Sequence, residues 1–151
     1  MVAKFIITPF IQVLRLRIQV LALLLSDWNT GITGIEVYNN IFQTTGGAYL
    51  VDIPTGYDGY FAGNLYWASG GTFKIRYHNT NYNSVNSWRA VSGNEKVGSL
   101  LTGITADPLL LNVGSNSVVW PAPTYSLNAY MTSASSPAIN TALNLNSLFA
   151  I

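Results

Sequence analysis

Carboxylates and a single histidine are the side chains here whose chemistry suits acid–base catalysis or metal binding. Six acidic residues are spread along the chain: Asp27, Glu36, Asp52, Asp58, Glu95 and Asp107. No two of them have a spacing that pairs them along the sequence, so a carboxylate pair requires folding that brings distant positions together. We expect Glu36 to be an exposed strand residue, and Glu95 to form a solvated ion pair with Lys96. The sequence identifies no catalytic residue.

Asp52 and Asp58 flank a turn that contains Pro54 and Gly56. Carboxylates at such positions can bind an ion, but they more commonly bond the turn backbone, which is the role we expect. His78 is the only histidine and cysteine is absent, which excludes the usual zinc sites. A serine triad would need this histidine, yet no Gly-x-Ser-x-Gly motif is present. We therefore predict that His78 lies on a surface loop and that the chain has no metal site.

An aromatic stretch at 57–82 supplies the candidate ligand-binding residues. Sugar faces stack on aromatic rings, while charged neighbours bond the sugar hydroxyls. The predicted glycan-binding residues are Tyr60, Tyr66, Trp67, Lys74 and Arg76. Core packing explains the same aromatic residues equally well, so both interpretations stay open.

The composition describes a polar but weakly charged domain. Charged residues make up 9% of 151 residues and the net charge is +1, against roughly 25% charged residues in an ordinary soluble domain. The basic residues are scattered, which argues against a nucleic-acid partner. Asn, Gly, Ser, Thr and Tyr replace the missing charge, and they favour short strands joined by turns. The length is sufficient for one domain with its own core.

The first 28 residues differ from the rest. Residues 5–25 are apolar, but Arg15 and Arg17 lie at the centre, where each costs about 2.5 kcal/mol or more on membrane-insertion scales. These arginines also break the apolar stretch of a signal peptide, and Ser26-Asp27-Trp28 is a poor cleavage site. We therefore expect no membrane span. Our hypothesis is that residues 1–28 reflect an out-of-frame reading or a false start; an apolar anchor is the alternative. Residues 29–151 form the folded domain.

From residue 34 onward, short strand-like runs alternate with turn residues. Strands are predicted within 35–42, 48–53, 60–67 and 72–77. Later apolar runs at 109–113, 118–120, 125–127 and 138–145 lack helical periodicity. Helical spacing of Val85, Trp88 and Arg89, with Ser84 as N-cap and Gly93 as terminator, predicts one short helix near 84–92. The fold class is therefore all-β with one short helix.

Two all-β architectures fit strands this short. They can stack as coils of a solenoid, with the Asn39-Asn40 pair at a corner where an Asn side chain bonds the matching Asn of the next coil. Alternatively, Asn39-Asn40 marks a single turn of a β-sandwich. The residue pattern alone leaves both open.

Five segments, in this order, resemble motifs from the C-terminal end of right-handed parallel β-helix proteins of the pectate-lyase-like superfamily. They are 38–42 (Tyr-Asn-Asn-Ile-Phe), 64–67 (Asn-Leu-Tyr-Trp), 82–88 (Tyr-Asn-Ser-Val-Asn-Ser-Trp), 106–110 (Ala-Asp-Pro-Leu-Leu) and 136–140 (Ser-Pro-Ala-Ile-Asn). The departures are Leu110 where Phe is usual, Asn140 where Asp is usual, and Ala142 where Gly often follows. The resemblance implies the last coils and C-terminal cap of a parallel β-helix. In this interpretation Asp107-Pro108 fixes a bend, and Trp88 and Trp120 cover the coil end.

The resemblance also implies a function. Lyases and hydrolases of this architecture carry their catalytic acids on mid-helix coils, often with calcium, and no such set is complete here. We expect a structural C-terminal part of a secreted or cell-surface protein that binds or degrades polysaccharide, without a cofactor in this fragment. The alternatives are a glycan-binding module using 57–82, or a polysaccharide lyase or glycoside hydrolase whose catalytic coils are missing. Self-association through the open N-terminal end of the coils is a further expectation.

Overall fold

A computed structural model describes residues 34–113 and 130–149, and these residues form a mostly β fold. The strands are β1 (Ile35–Tyr38), β2 (Ile41–Thr45), β3 (Val51–Ile53), β4 (Gly59–Ala62), β5 (Leu65–Ser69), β6 (Ile75–Tyr77), β7 (Thr80–Tyr82), β8 (Lys96–Val97), β9 (Leu100–Leu101) and β10 (Ile104–Thr105). The helices are α1 (Val85–Ser92) and α2 (Leu145–Phe149). The all-β prediction is confirmed at this level. The predictions for residues 1–28, 118–120 and 125–127, and for Trp120, fall outside the described residues.

Parallel pairing organises the first six strands. β1 pairs with β4, β2 with β5 and β3 with β6, and all three pairs are parallel. Partners on facing strands are separated by 24 residues, as Asp52 and Arg76 are. β10 lies on the other side of β5 from β2, with Ile104 opposite Leu65. The result is a set of small sheets of two or three strands rather than one continuous sheet.

The core lies between these small sheets. Phe42 and Tyr66 occupy the same register position on β2 and β5, and their rings stack at 5.2 Å. Leu50, Val51, Ile53, Phe61 and Ile75 are fully buried around them. Burying an aliphatic or aromatic side chain of this size contributes about 1.5–3 kcal/mol. Burial of these stacked apolar positions therefore stabilises the parallel register of neighbouring strands.

Sharp corners divide the longer predicted runs. The run at 35–42 is two strands, because Asn39 has a left-handed φ of 58° between β1 and β2. Gly63 takes the equivalent place between β4 and β5, with φ of 72°. A Cβ at Gly63 would lie 2.6 Å from Asn39 Oδ1 and 2.7 Å from Leu143 Cγ. Glycine is required there because both the backbone angle and the close approach exclude a side chain.

The predicted short helix is confirmed as α1. Ser84 is its N-cap, accepting a hydrogen bond from Ser87 N at 3.1 Å, and Gly93 ends it in the left-handed conformation. Trp88 on this helix is fully buried against the end of the core. The helix therefore places its one large apolar side chain over rings contributed by β4, β5 and β6.

Two hairpins interrupt the parallel arrangement. β6 and β7 pair antiparallel through His78 and Asn79, whose φ values of 47° and 64° are those of a type I′ turn. β8 and β9 form the second antiparallel pair, after α1. Residues 85–101, comprising α1 and this hairpin, thus form an insertion between the second set of parallel strands and β10.

The C-terminal segment returns to the earlier strands. Asp107 Oδ1 accepts a hydrogen bond from Leu109 N at 2.8 Å, across Pro108. Ser136 Oγ donates to Pro108 O at 2.7 Å, and the Asn39 side chain bonds Leu143 N and O at 2.8 and 3.0 Å. These bonds tie residues 136–143 to two distant corners of the chain.

The prediction of one helix was wrong, because a second helix, α2, begins at Leu145, the last residue of the apolar run at 138–145. Asn144 Oδ1 accepts a hydrogen bond from Asn146 N at 3.1 Å and starts the helix. Such a cap can begin a single helical turn without any apolar periodicity. Neither of the helices in the described ranges is long and apolar enough to cross a membrane.

Candidate functional site

The predicted glycan-binding residues lie on separate sheets. Tyr60 is on β4, Trp67 on β5 and Arg76 on β6, and each of these strands belongs to a different sheet. Tyr60 is 37% exposed, and its hydroxyl donates to Lys96 O. Trp67 is half-buried, and Lys74 is exposed just before β6. The candidate glycan-binding residues, which are close together in the sequence, therefore do not form one surface.

Tyr66 does not present a surface to any ligand. It is fully buried, and its hydroxyl donates to Glu95 Oε1 at 2.6 Å. We therefore remove Tyr66 from the candidate glycan residues. Its ring belongs to the core, because it stacks on the buried ring of Phe42, its register partner on β2.

Arg76 is engaged by a buried carboxylate. Arg76 Nε donates to Asp52 Oδ1 at 2.6 Å, and Nη2 bonds Oδ2 of the same side chain. The guanidinium also lies 4.9 Å from the centroid of the Tyr49 ring. Asp52 is 1% exposed in the middle of β3, so the prediction that it serves a turn was wrong. Its position directly opposite Arg76 in the parallel register explains the pairing.

An exposed polar cluster lies where two turns meet. Asp58 Oδ1 accepts a hydrogen bond from the Tyr77 hydroxyl at 2.9 Å, and His78 Nε2 lies 3.2 Å from the same oxygen. His78 Nε2 is also 2.9 Å from Tyr57 O, and the His78 ring stacks on Tyr77 at 3.9 Å. Burial and then the bond to Asp58 raise the pKa of Tyr77 to about 12. His78 follows a strand in a turn, as predicted, but its ring is held by these contacts.

The most completely buried polar cluster is centred on Glu95. Its carboxylate is 0% exposed and accepts four hydrogen bonds. Oε1 accepts from Tyr66 OH at 2.6 Å and from Asn64 Nδ2 at 2.7 Å. Oε2 accepts from Thr102 Oγ1 at 3.0 Å and from Asn64 N at 3.4 Å. The interpretation of Glu95 as a solvated partner of Lys96 was therefore wrong.

Asn64 connects this carboxylate to the preceding corner. Its Oδ1 accepts from Asn40 N at 2.9 Å and Asn40 Nδ2 at 3.3 Å, while its Nδ2 also donates to Val37 O at 2.9 Å. Asn40 and Asn64 are 24 residues apart, so the two amides form a ladder across neighbouring corners.

Glu95 occupies the next place on this ladder. Position 103 precedes Ile104 as Asn64 precedes Leu65 and Asn40 precedes Ile41, but it is a glycine. A Cβ on Gly103 would lie 2.5 Å from Glu95 Oε2 and 2.6 Å from Glu95 Cδ. The carboxylate thus fills the space that a side chain at 103 would take. It reaches there from within the insertion, between α1 and β8.

Main-chain bonds hold Glu95 in this place. The residue has a left-handed φ of 53°, its N donates to Phe61 O at 2.6 Å, and its carbonyl accepts from Thr102 N at 2.9 Å. Arg89 Nε donates to the same carbonyl at 2.9 Å, and Arg89 Nη2 bonds Thr102 O and Gly103 O. Arg89 therefore links α1 to the residues that directly precede β10. Its guanidinium donates to main-chain carbonyl oxygens rather than to the Glu95 carboxylate.

Burial determines the electrostatics of the cluster. Desolvation raises the pKa of Glu95, and the hydrogen bonds from Tyr66, Asn64 and Thr102 oppose that rise. Burial, followed by the neighbouring Glu95, raises the pKa of Tyr66 well above its usual value. Both groups therefore favour their neutral forms more strongly than they would in water.

Adding a side chain at position 103 is expected to destabilise the fold. Gly103→Ala combines the overlap with Glu95 with a φ of 68° that disfavours a Cβ, so we expect a loss of about 2–3 kcal/mol of unfolding free energy. Urea denaturation measures the effect. Gly98→Ala is the matched control, because its φ is also positive but a Cβ there meets nothing within 4 Å. Equal losses in the two variants would show that position 103 carries no special contact.

The described residues contain no group of three or more His, Asp or Glu side chains that could hold a metal ion. Comparison with known proteins adds no assignment: no family model, curated protein or solved structure matches this chain.

Sequence reasoning missed Glu95 and the Asp52–Arg76 pair, although a signal for part of them exists. Shifting the sequence by 24 residues aligns Asn40-Ile41-Phe42 with Asn64-Leu65-Tyr66, and Asp52 with Arg76. That self-comparison would have found the ladder and the ion pair. It would not have found Glu95, which enters the ladder from the insertion.

Proposed function

We propose that this chain provides the last coils and C-terminal cap of a right-handed parallel β-helix, with a structural role in a secreted or cell-surface protein that binds or degrades polysaccharide. The observation that carries the proposal is the parallel register of three separate strand pairs at one constant offset. A β-sandwich pairs its strands mainly antiparallel, whereas stacked coils repeat one parallel register.

The corner contacts support the same architecture. Asn40 bonds Asn64, and the Phe42 ring stacks on the Tyr66 ring. Side chains of the same kind therefore lie next to each other at successive levels. The parallel order then gives way to antiparallel hairpins and the insertion, where Trp88 covers the aromatic core. A stack of coils needs such a cover, since its last coil otherwise exposes an apolar interior and unpaired strand edges.

The arrangement of acidic residues favours a structural role over catalysis in this part of the chain. Asp52 forms an ion pair with Arg76, and Glu95 is fully buried. Asp58 bonds Tyr77 and His78 on the surface, without a second carboxylate in that cluster. We propose that, if the full protein is a polysaccharide lyase or glycoside hydrolase, its catalytic coils and any calcium lie elsewhere.

The direct test is an activity assay on the chain itself. Incubated with polygalacturonate or alginate, the chain is expected to release no unsaturated product and no reducing ends. Measurable product from this chain, abolished by substituting one of its acids, would overturn the structural assignment.

A glycan-binding module is the second candidate, because Trp67 and Tyr60 remain accessible on the outer faces of β5 and β4. In this case Trp67→Ala is expected to abolish binding on a glycan array, since ring stacking carries such contacts. Gln43→Ala is the matched control, because Gln43 lies opposite Trp67 in the register and has no ring. Circular dichroism must show that both variants fold. If the unmodified chain binds no glycan on the array, or if both variants lose binding equally, this candidate is excluded.

Two further proposals concern the N-terminal side. Within the described ranges, β1, β2 and β3 each pair with a strand on one side. Because exposed strand edges favour pairing with another chain, we propose that the chain self-associates through this side.

We also propose that residues 1–28 stand in place of coil sequence. Translating the surrounding DNA in three frames tests this: coil-like Asn- and Gly-rich sequence in another frame supports it, and its absence contradicts it.

A further inference from the structure

The Glu95 carboxylate joins the 85–101 insertion to residues at two levels of strands. Tyr66 and Asn64 belong to β5 and its corner, and Thr102 precedes β10. Glu95 itself lies within the 85–101 insertion, between α1 and β8. Its main chain bonds Phe61 on β4 and receives Arg89 from α1. Any change in the volume or charge of this one group therefore acts on the insertion and on two levels of strands together.

The carboxylate can be held in either protonation state. Four donors point at its oxygens, which satisfies the ionised form. Thr102 and Tyr66 contribute hydroxyls that can accept as well as donate, so either can turn to accept a hydrogen bond from the protonated acid. The ionised form must remain charged at 0% exposure, and none of the ion pairs in the described residues includes Glu95. Such burial of a charge without an opposite charge is unfavourable.

We propose that Glu95 is a proton-dependent clasp: when protonated it fixes the 85–101 insertion onto the asparagine ladder, and its ionisation loosens that insertion. The proposal is independent of the proposed polysaccharide function. It predicts a protein whose capping insertion opens more often in neutral than in acidic solution. Opening would uncover Trp88 and the rings beneath it.

The other ionisable groups around the carboxylate do not reverse this direction. Tyr66 faces it from β5 and Tyr60 lies nearby on β4. Both are neutral near pH 7, because the ordinary tyrosine pKa of 10.0 lies well above that pH and is raised further in both residues. Arg89 approaches from α1, but its guanidinium donates hydrogen bonds to the main-chain oxygens Glu95 O, Thr102 O and Gly103 O rather than to the carboxylate. Lys96 follows in the chain with its side chain exposed.

The sign follows from linkage. The pKa of Glu95 is raised in the closed state above the ordinary value of 4.5, so the closed state binds the proton more tightly than the opened state. The stabilisation from the protonated clasp is complete below the ordinary value and is lost as pH rises to the raised one. Within that window the opening equilibrium should increase by up to about tenfold per pH unit, and it should level off above the window.

Hydrogen exchange of the full chain between about pH 4 and 8 tests the proposal. After correction for intrinsic exchange, protection of the Glu95 and Thr102 amides, which bond Phe61 O and Glu95 O, is expected to fall with rising pH. In Glu95→Gln, which keeps the shape and is neutral at every pH, protection should be independent of pH. Glu36→Gln is the matched control, as the same change at the sequence's other glutamate, and should retain the pH dependence.

A second measurement does not depend on any variant folding. The side-chain carboxyl carbon of Glu95, followed by NMR in the unmodified chain, should titrate above the ordinary glutamate range and together with the loss of protection. A midpoint at or below the ordinary value would overturn the proposal, as would protection that rises with pH or follows pH equally in Glu95→Gln.

Discussion

Trp88→Ala is expected to lower the free energy of unfolding by about 3–5 kcal/mol. Trp88 is fully buried, and its ring lies 5.3 Å from the centroid of Phe61, 6.1 Å from Tyr66 and 6.4 Å from Tyr77. Removing it leaves a cavity between α1 and three aromatic rings. A loss of this size is a large share of the roughly 5–15 kcal/mol that stabilises an ordinary domain. Urea or thermal denaturation, followed by circular dichroism, gives the measurement.

Two other substitutions define the origin of this effect. Trp67→Ala removes the same side chain from a half-buried outer position and should cost about 1 kcal/mol. Trp88→Phe should cost less than Trp88→Ala, because Trp88 Nε1 is buried without a hydrogen-bond partner and little polar bonding is lost. Similar losses for Trp88→Ala and Trp67→Ala would contradict the placement of α1 over the core.

Asn64→Leu is expected to destabilise the protein by about 3 kcal/mol or more. The leucine has nearly the shape of asparagine but leaves Asn40 N, Val37 O and Glu95 without their partner at 64. Unpaired buried polar groups cost about 1–3 kcal/mol each, which accounts for the size of the effect. Chemical denaturation measures it, with circular dichroism to confirm that the variant folds.

Asn83→Leu is the matched control for the ladder. Asn83 is exposed after β7, so the same change there should alter stability by less than about 1 kcal/mol. If Asn64→Leu were as mild as Asn83→Leu, the side-chain bonds between the two corners would not be a source of stability.

Local features of this fold were predictable from the sequence. Ser84 and Gly93 mark the ends of α1 because capping depends on residues at fixed distances along the chain. Asn39-Asn40 and Gly63-Asn64 mark corners because these residue types tolerate a left-handed backbone. The strands came out shorter than predicted, since apolar alternation does not show where a corner interrupts it.

Contacts between residues that are distant in sequence and meet only in the folded chain were not predictable in this way. Glu95 is adjacent to Lys96 in sequence, and neighbouring opposite charges ordinarily indicate a solvated surface. Its burial depends on the missing side chain at Gly103 and on the hydroxyls of Tyr66 and Thr102, which meet it only after the insertion folds back. Tyr66 was named as a candidate glycan-binding residue with core packing left equally open, because its buried partner Glu95 is 29 residues away in the sequence.

Disulfide trapping gives the most direct test of the parallel register of β2 and β5, because the chain contains no cysteine. Thr45 and Ser69 are register partners on β2 and β5, so Thr45→Cys with Ser69→Cys should cross-link within one chain on mild oxidation. Ile41→Cys with Ser69→Cys should not, because those positions lie at opposite ends of the parallel pair, about 13 Å apart. An antiparallel sandwich with the same two strands predicts the reverse. Cross-linking of 45 with 69 alone, mapped by mass spectrometry, is the expected result, and cross-linking of 41 with 69 alone would contradict the account.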